Sequence, residues 1–298
     1  EAKGMPWIAF FILLGGLLLN AGLNWILIYG NAGAPALGLE GAGWATLAAR
    51  VVMLGCMFWL LVRRPEIAAA GAQRLRYWGE LSLDMAKRMV SVGLPSALQL
   101  VAEIGLFSMV MLMAGWLGEV TLAAHHIAVN YAGFIFMIPL GMSFAITIRV
   151  GDALGRGDVA AASRISWSGV GTGVGLMAVC AGLTFFFRNS IPLVFVADPA
   201  VVKAAAAMLG VAVVFQMFDG AQVCCIGALR GMADVKIPTI MAFAGYWVVS
   251  LPVAYYCGIV WREDGVGLWF GLVTGLCAAA LLLLGRLRLQ TSRLMRNE

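Results

Sequence analysis

Two acidic residues lie within long apolar stretches of this sequence. Glu103 falls inside the stretch from Met89 to Leu117, and Asp219 falls about halfway along the stretch from Ala204 to Leu229. A carboxylate at the middle of a helix that crosses a lipid bilayer costs at least ~2.5 kcal/mol on insertion scales. Such residues therefore face a protein interior or a water-filled cavity, where they mark the path of an ion or a substrate.

The two carboxylates are predicted to lie at a similar depth. Glu103 is fifteen residues past Arg88, which corresponds to about 22 Å along a helix that rises from the cytoplasmic side. Asp219 is eleven residues before Arg230, which corresponds to about 17 Å from the same side. A common depth near the bilayer midplane is what a shared interior cation site requires.

Amide and aromatic residues accompany both acids at helical spacing. Carboxylate and amide oxygens coordinate a hard cation such as Na⁺, and two neighbouring carboxylates could instead hold a transported proton. An aromatic ring could add a cation–π contact. The candidate cation-coupling residues are therefore Glu103 and Asp219, and the candidate lining residues beside them are Gln99, Phe107, Phe215, Gln216 and Gln222.

Two other interpretations of polar residues in the apolar stretches stay open. Arg50, about ten residues into the second stretch, could pair with either acid, and the acid would then be structural. His125 and His126 could serve an intramembrane enzyme as ligands or general bases. No H-E-x-x-H or comparable spacing accompanies them, so hydrogen bonding near the membrane interface is the expected role.

The composition predicts an all-α polytopic membrane protein and excludes an ordinary soluble enzyme. Hydrophobic residues make up 62% of the 298 residues, charged residues make up 12%, and the mean hydropathy is +0.93. The net charge of +5 comes from basic residues at the ends of apolar stretches, so no nucleic-acid partner is expected. All six cysteines lie inside apolar stretches without metal-ligand spacing, and we expect them to be packing residues.

Eight apolar stretches are long enough to cross a bilayer as helices. Pro95, Pro139 and Pro252 lie inside three of them, and each removes one backbone hydrogen bond, which predicts a kink. The stretches run roughly over Pro6–Tyr29, Gly41–Val62, Met89–Leu117, Val120–Ile148, Ile165–Phe187, Ala204–Leu229, Ile237–Trp261 and Gly265–Gly285.

The distribution of Lys and Arg predicts the topology. If the helices alternate in direction, sixteen basic residues fall on one side of the membrane and three on the other, which places both termini in the cytoplasm. The charged segment 65–88 is the expected linker between residues 1–64, which hold two helices, and residues 89–298, which hold six helices and the cation site. Because the chain begins at Glu1 without an initiator methionine, we expect it to be a fragment.

Several short blocks of sequence resemble the multidrug and toxic compound extrusion (MATE) family, and its NorM-like branch in particular. The blocks occur in family order over almost the whole chain, and their combination is more specific than any single block. They are Asn20-Ala-Gly-Leu-Asn24 through Gly30, Gly41 to Thr46, Ala124-His125-His126-Ile127, Ile138-Pro139-Leu140-Gly141 to Gly151-Asp152-Ala-Leu-Gly155, and Gly227-Ala-Leu-Arg-Gly231 to Pro238.

The resemblance implies a twelve-helix transporter with two lobes of six helices, of which this chain would hold helices five to twelve. It implies export of lipophilic, often cationic compounds in exchange for Na⁺ or H⁺ across a bacterial inner membrane, with no resident cofactor and no enzymatic activity. Glu103 matches the acid of helix seven and Asp219 the acid of helix ten. Phe215 stands where many relatives carry a tyrosine, which weakens the case for a complete sodium shell.

The resemblance also implies the expected partners and the nearest alternative function. Partners would be small lipophilic cations and membrane lipid, and the complete protein would be monomeric. A flippase for a lipid-linked sugar from the same superfamily is the nearest rival, but it would be expected to line its cavity with several cationic residues for the diphosphate. The apolar stretches offer only Arg50.

Overall fold

The computed structural model describes residues 6–33, 35–63 and 83–296, and over these ranges the chain is helical without strands. Eight helices within the described ranges are long and apolar enough to cross a membrane. Most of the expected linker, residues 65–82, lies outside the described residues. The helices are α1 (Pro6–Tyr29), α2 (Gly38–Arg63), α3 (Leu83–Trp116), α4 (Glu119–Gly155), α5 (Val159–Phe187), α6 (Pro199–Gly231), α7 (Lys236–Trp261) and α8 (Gly265–Arg296).

Several helices are longer than the apolar stretches that predict them. α4 continues past Ile148 to Gly155, and α8 continues past Gly285 to Arg296. With 32 residues, α8 is about 48 Å long, which exceeds the ~30 Å hydrocarbon core of a bilayer. The sequence criterion follows hydrophobicity, whereas the backbone remains helical after the side chains become polar.

Local capping explains where α5 and α6 begin. The carboxylate of Asp158 accepts a hydrogen bond from the Ala161 N–H at 2.7 Å, before the first apolar residues of α5. The carboxylate of Asp198 accepts one from the Ala200 N–H at 2.8 Å, and Pro199 occupies the first helical position of α6. Both devices satisfy backbone donors that have no partner inside the helix, so each helix starts about five residues before its predicted apolar span.

The described helices belong to two compact units, residues 1–85 and 86–298. In the first unit α1 packs against α2, and the Leu37 N–H donates to the Leu27 carbonyl at 2.9 Å. Arg50 is exposed on α2 and lines a small recess of this unit together with Asn20 and Thr46.

In the second unit α6 is the central helix, because it packs most extensively against α4, α5 and α8. Its residues from Asp219 to Leu229 are all buried. Gly227 allows α6 to lie directly on α4: a Cβ atom at this position would stand 2.8 Å from the Ser143 Cα atom. The Thr147 hydroxyl on α4 also donates to the Gly227 carbonyl at 2.7 Å, so small residues and one side-chain hydrogen bond join the two helices.

α7 alternates between α-helical and π-helical segments. It is α-helical over Lys236–Phe243 and Leu251–Tyr255, and π-helical over Ala244–Ser250 and Tyr256–Trp261. Pro252 lies between the two π-helical segments, where the missing proline N–H already interrupts the regular hydrogen-bond pattern. α3 and α4, by contrast, continue through Pro95 and Pro139.

Candidate functional site

A cavity of about 550 Å³ lies in the second unit, with walls formed by α3, α4 and α6. Glu103 of α3 and Asp219 of α6 both lie on its wall, so the structure brings the two acids from the interior of the apolar stretches to one cavity. One of the other lining residues, Ser108, is polar. The rest are apolar: Leu100, Ile104, Phe107, Met111, Leu112, Val129, Ala132, Gly133, Phe136 and Phe215.

Helical periodicity explains why these residues share the cavity. On α6 the lining residues Phe215 and Asp219 are four positions apart, and on α3 Glu103 and Phe107 are also four apart. On α4 the lining residues recur over two turns, with Ala132 and Gly133 at the centre. Their small side chains leave open the volume that larger residues would fill.

The distance between α3 and the neighbouring helices also contributes to the cavity. Among the described helices of this unit, α3 approaches its neighbours less closely than the others do. Its polar links to α7 run through side chains: the Thr239 hydroxyl donates to the Pro95 carbonyl at 3.1 Å, and the Trp247 indole donates to the Ala102 carbonyl at 3.1 Å. α3 is therefore fixed along its α7 side while a cavity remains towards α4 and α6.

Aromatic rings form part of the cavity wall and continue behind it. The ring of Phe107 stands edge-on to the ring of Phe215, with centroids 6.1 Å apart. Phe215 in turn packs edge-on against the fully buried Trp269 of α8, at 5.6 Å. This arrangement holds the two phenylalanines in fixed orientations beside the acids.

The candidate lining residues separate into two groups. Phe107 and Phe215 lie on the wall, as does each of the two acids. The three glutamines are buried but do not line the cavity. Gln216 hydrogen-bonds through its amide to the Thr184 hydroxyl on α5 at 3.1 Å, and Gln222 donates to the hydroxyl of Tyr246 on α7. The polar groups of Gln216 and Gln222 face neighbouring helices, which supply partners that the largely apolar cavity wall does not.

Tyr246 is a residue beside the site that the sequence did not indicate. It is fully buried in α7, and its hydroxyl accepts a hydrogen bond from Gln222, three residues after Asp219 on α6. It falls inside the π-helical segment Ala244–Ser250. A search with α-helical spacing around the acids cannot find it, because it lies on another helix and in another helical register.

The two adjacent histidines do not act as a pair. His126 is exposed, and its Nδ1 atom lies 2.6 Å from the Asn130 amide nitrogen. His125 is fully buried with its ring against Trp269, and neither of its ring nitrogens has a hydrogen-bond partner in the described part of the chain. The expectation that both histidines are hydrogen-bonded is therefore wrong for His125, because helix α4 turns it towards an apolar core instead of the surface.

The cavity wall combines two carboxylates with apolar and aromatic surface. Within the described residues, no group of three His, Cys, Asp or Glu side chains is placed to hold a metal ion by itself. The cavity offers two carboxylates for positive charge and apolar and aromatic walls for an organic group. No Lys, Arg or His side chain lines it to neutralise the acids.

Comparisons with known proteins agree with this architecture. A solved eukaryotic MATE transporter, AtDTX14, superposes with a TM-score of 0.83 at 20% identity, over 96% of this chain and 64% of that chain. The multidrug resistance protein PmpM of Pseudomonas aeruginosa is 38% identical over 290 residues, which is 96% of this chain and 60% of that protein. The multidrug resistance protein MdtK of Yersinia pseudotuberculosis is 37% identical over 280 residues.

The chain thus spans about 60% of the length of the curated relatives it matches. The family model named MatE matches residues 95–256, more than half of the chain, and this segment contains Glu103 and Asp219 together with the rest of the cavity wall. The protein is a member of the MatE family.

Proposed function

We propose that this chain is part of a multidrug efflux antiporter that exports lipophilic cations in exchange for Na⁺ or H⁺. The observation that carries the proposal is the placement of Glu103 and Asp219 on one largely apolar cavity of about 550 Å³. Carboxylates at this position in membrane-spanning helices are costly to bury and are functional by default. The relatives PmpM and MdtK, whose names describe multidrug resistance, support the substrate class.

In this proposal the same cavity serves both the coupling ion and the exported compound. A small cation bound by the two carboxylates neutralises them, which removes the attraction for an organic cation. When the cation leaves, the carboxylates again attract a positive group while Phe107, Phe215 and the aliphatic walls contact its apolar part. Binding of one therefore opposes binding of the other, and each biases an inward or outward arrangement of a two-lobed transporter.

The proposal extends to location and assembly. The transporter lies in a bacterial inner membrane with both termini of this chain in the cytoplasm, as the excess of basic residues on one side predicts. It contacts membrane lipid directly and functions as a monomer, with no resident cofactor and no enzymatic step.

The cavity wall disfavours the rival function of a lipid-linked sugar flippase. A diphosphate carries several negative charges and requires Lys or Arg donors. The wall described above presents two carboxylates and no basic side chain. Arg50 belongs to the other unit and lines a recess with Asn20 and Thr46.

Transport by the complete protein tests the proposal. The complete transporter is reconstituted in proteoliposomes, and a fluorescent lipophilic cation is followed after a sodium jump and, separately, after a pH jump. The Asp219→Asn and Glu103→Gln variants should insert normally but lose ion-driven transport. Undiminished transport by both variants would refute the assignment of the site, and the jump that drives transport identifies the coupling ion.

A further inference from the structure

The wall of the cavity on α4 lacks a side chain at Gly133. This residue lines the cavity and is exposed. A Cβ atom at Gly133 would meet no atom within 4 Å, whereas one at Gly227 would stand 2.8 Å from the Ser143 Cα atom. Gly133 lies in the interior of α4 and has no positive φ angle. Neither close helix packing nor the backbone conformation therefore requires glycine here, and after proline glycine is the least favourable residue in a helix interior.

Gly133 belongs to one stripe of lining residues on α4. Successive members of the stripe are three, one and three residues apart, which places them on a single face of the helix. They are Val129, Ala132, Gly133 and Phe136. The two end residues carry the larger side chains, and the two middle residues carry only a methyl group and no side chain. We call the recess at Ala132 and Gly133 the α4 notch.

The α4 notch lies at the depth of Glu103 on α3. Helix α3 ends at Trp116 and α4 begins at Glu119, so the two helices are joined by two residues. Glu103 is fifteen residues before Gly118, and Gly133 is fifteen residues after it. With a rise of about 1.5 Å per residue, both lie about 22 Å along their helices from this connection.

Asp219 on α6 lies at nearly the same depth as the α4 notch. Gly227 of α6 lies against Ser143 of α4. Four residues later on both helices, Gly231 lies against Thr147, so α4 and α6 run in the same direction. Eight residues before the first of these contacts, Asp219 is level with a point two residues past Gly133, a difference of about 3 Å. The notch and the two carboxylates therefore surround the cavity at one level.

We propose that Gly133 is a specificity-determining residue, whose open space admits cations that carry bulky groups directly on the charged centre. The inference rests on the proposed function, because only there do Glu103 and Asp219 hold the positive centre of an exported compound. Substituents of a centre held at this depth extend sideways, and the α4 notch leaves room for one of them. Na⁺ and H⁺ need no such room. A larger residue at position 133 should therefore oppose bulky cations by steric exclusion and leave the coupling ion unaffected.

The test uses Gly133→Leu in the complete transporter, purified in detergent. Equilibrium dialysis gives the Kd for tetraphenylphosphonium and for methyltriphenylphosphonium, which has the same charge and one ring less. Burial of one aromatic ring is worth about tenfold to hundredfold in affinity. We expect the Kd for tetraphenylphosphonium to rise at least about tenfold. The Kd for methyltriphenylphosphonium should rise less than about threefold, because its methyl group can face the leucine.

The coupling ion provides a second measurement in the same samples. Bound methyltriphenylphosphonium is displaced by NaCl at fixed pH and, separately, by acidification without Na⁺. The midpoint of the effective displacement should be the same within about twofold in wild type and in Gly133→Leu. A change in this midpoint as large as the change in the Kd for tetraphenylphosphonium would mean that the substitution disturbs the acids, and it would overturn the steric role.

The matched control is Gly175→Leu on α5. A Cβ atom at Gly175 also meets no atom within 4 Å, but this residue does not line the cavity, so both Kd values should stay unchanged. Gly133→Ala adds a single methyl group and improves helix propensity. It should raise the Kd for tetraphenylphosphonium about twofold to fourfold, which keeps the test available if Gly133→Leu does not fold.

The possible results separate this inference from the proposed function. Unchanged Kd values in Gly133→Leu, or in Gly133→Ala if leucine prevents folding, would overturn the size role. If Glu103→Gln and Asp219→Asn still lose transport, the proposed function stands. Equal losses for the two phosphonium ions, or equal losses in Gly133→Leu and Gly175→Leu, would also overturn the size role. Full transport by both acid variants would overturn the proposed function and this inference with it.

Discussion

The Nε atom of Arg286 donates a hydrogen bond to the carboxylate of Asp234 at 2.7 Å. The pair connects α8 to the short segment between α6 and α7. Only 13% of the Arg286 side chain and 9% of the Asp234 side chain are exposed, so the interaction is shielded from solvent. It holds the end of the central helix α6 against the C-terminal helix, next to the tight contact between α6 and α4.

Asp234→Asn should destabilise the second unit by on the order of 3 kcal/mol, because it removes the negative charge that compensates the buried Arg286 guanidinium. The free energy of unfolding is measured in detergent by titration with SDS. The matched control is Asp152→Asn, which breaks the pair of Asp152 with Arg156 on α4. Since those side chains are 60% and 64% exposed, the control should change stability by about 0.5 kcal/mol or less. Equal effects of the two substitutions would contradict the structural role of the buried pair.

Gly227→Ala should destabilise the packing of α6 on α4. The new Cβ atom would stand 2.5 Å from the Ser143 carbonyl oxygen and 2.8 Å from the Ser143 Cα atom, and both belong to backbone that cannot move without separating the helices. Overpacking of this kind costs about 1 to 3 kcal/mol. The loss should appear as a lower midpoint of thermal unfolding, measured by size-exclusion chromatography of heated samples.

Gly175→Ala on α5 is the control for this prediction, because no atom lies within 4 Å of the Cβ that it adds. Alanine is the better helix former by about 1 kcal/mol, so this variant should be unchanged or more stable. A Gly227→Ala protein as stable as Gly175→Ala would show that the contact between α4 and α6 is looser than described.

Asp264→Ala should weaken the start of α8. Asp264 accepts a hydrogen bond from the Gly267 N–H at 2.8 Å and pairs with Arg262 at 2.9 Å. Loss of a capping acceptor costs about 1 kcal/mol. Asp264→Asn keeps an acceptor for the Gly267 N–H and should recover most of the loss, as measured by SDS titration at neutral pH.

The contribution of Asp264 should also depend on pH. Partial burial raises the pKa of this carboxyl, but hydrogen bonds from Arg262 and from the Gly267 N–H outweigh it and leave the pKa below the ordinary value of 3.8. A carboxyl with a lowered pKa stabilises the folded state above its unfolded pKa and loses that contribution as the pH falls through its folded pKa. The stability difference between wild type and Asp264→Ala should therefore be constant above about pH 5 and shrink below about pH 4. A difference that grows on acidification would contradict this assignment.

Phe107→Leu should weaken binding of an aromatic cation to the complete transporter. Leucine keeps an apolar wall but removes the ring, whose interaction with a cation is worth about 0.5 to 1 kcal/mol or more. We expect the apparent affinity for ethidium, measured by concentration-dependent transport, to fall about threefold to tenfold. Phe134→Leu is the control, because Phe134 is 75% exposed on α4 and does not line the cavity. Equal affinities for the two variants would show that the ring of Phe107 does not contact the bound cation.

The sequence by itself determined the class of protein and singled out the two acids that line the candidate cavity. A bilayer requires about twenty apolar residues for each helix and penalises a buried charge, so the number of spans and the exceptional positions of Glu103 and Asp219 can be read without a structure. Helical spacing also placed Phe107 and Phe215 beside the acids. These inferences use only local periodicity and the chemistry of single residues.

The tertiary structure alone decided which polar side chains accompany the acids. Gln216 and Gln222 have the right spacing from Asp219, but Thr184 on α5 and Tyr246 on α7 supply their partners. Tyr246 lies in a π-helical segment of α7 that no α-helical pattern predicts. Hydrophobicity in a membrane span specifies that a segment is a helix, whereas the rotation of each helix and its local register follow from close packing against its neighbours.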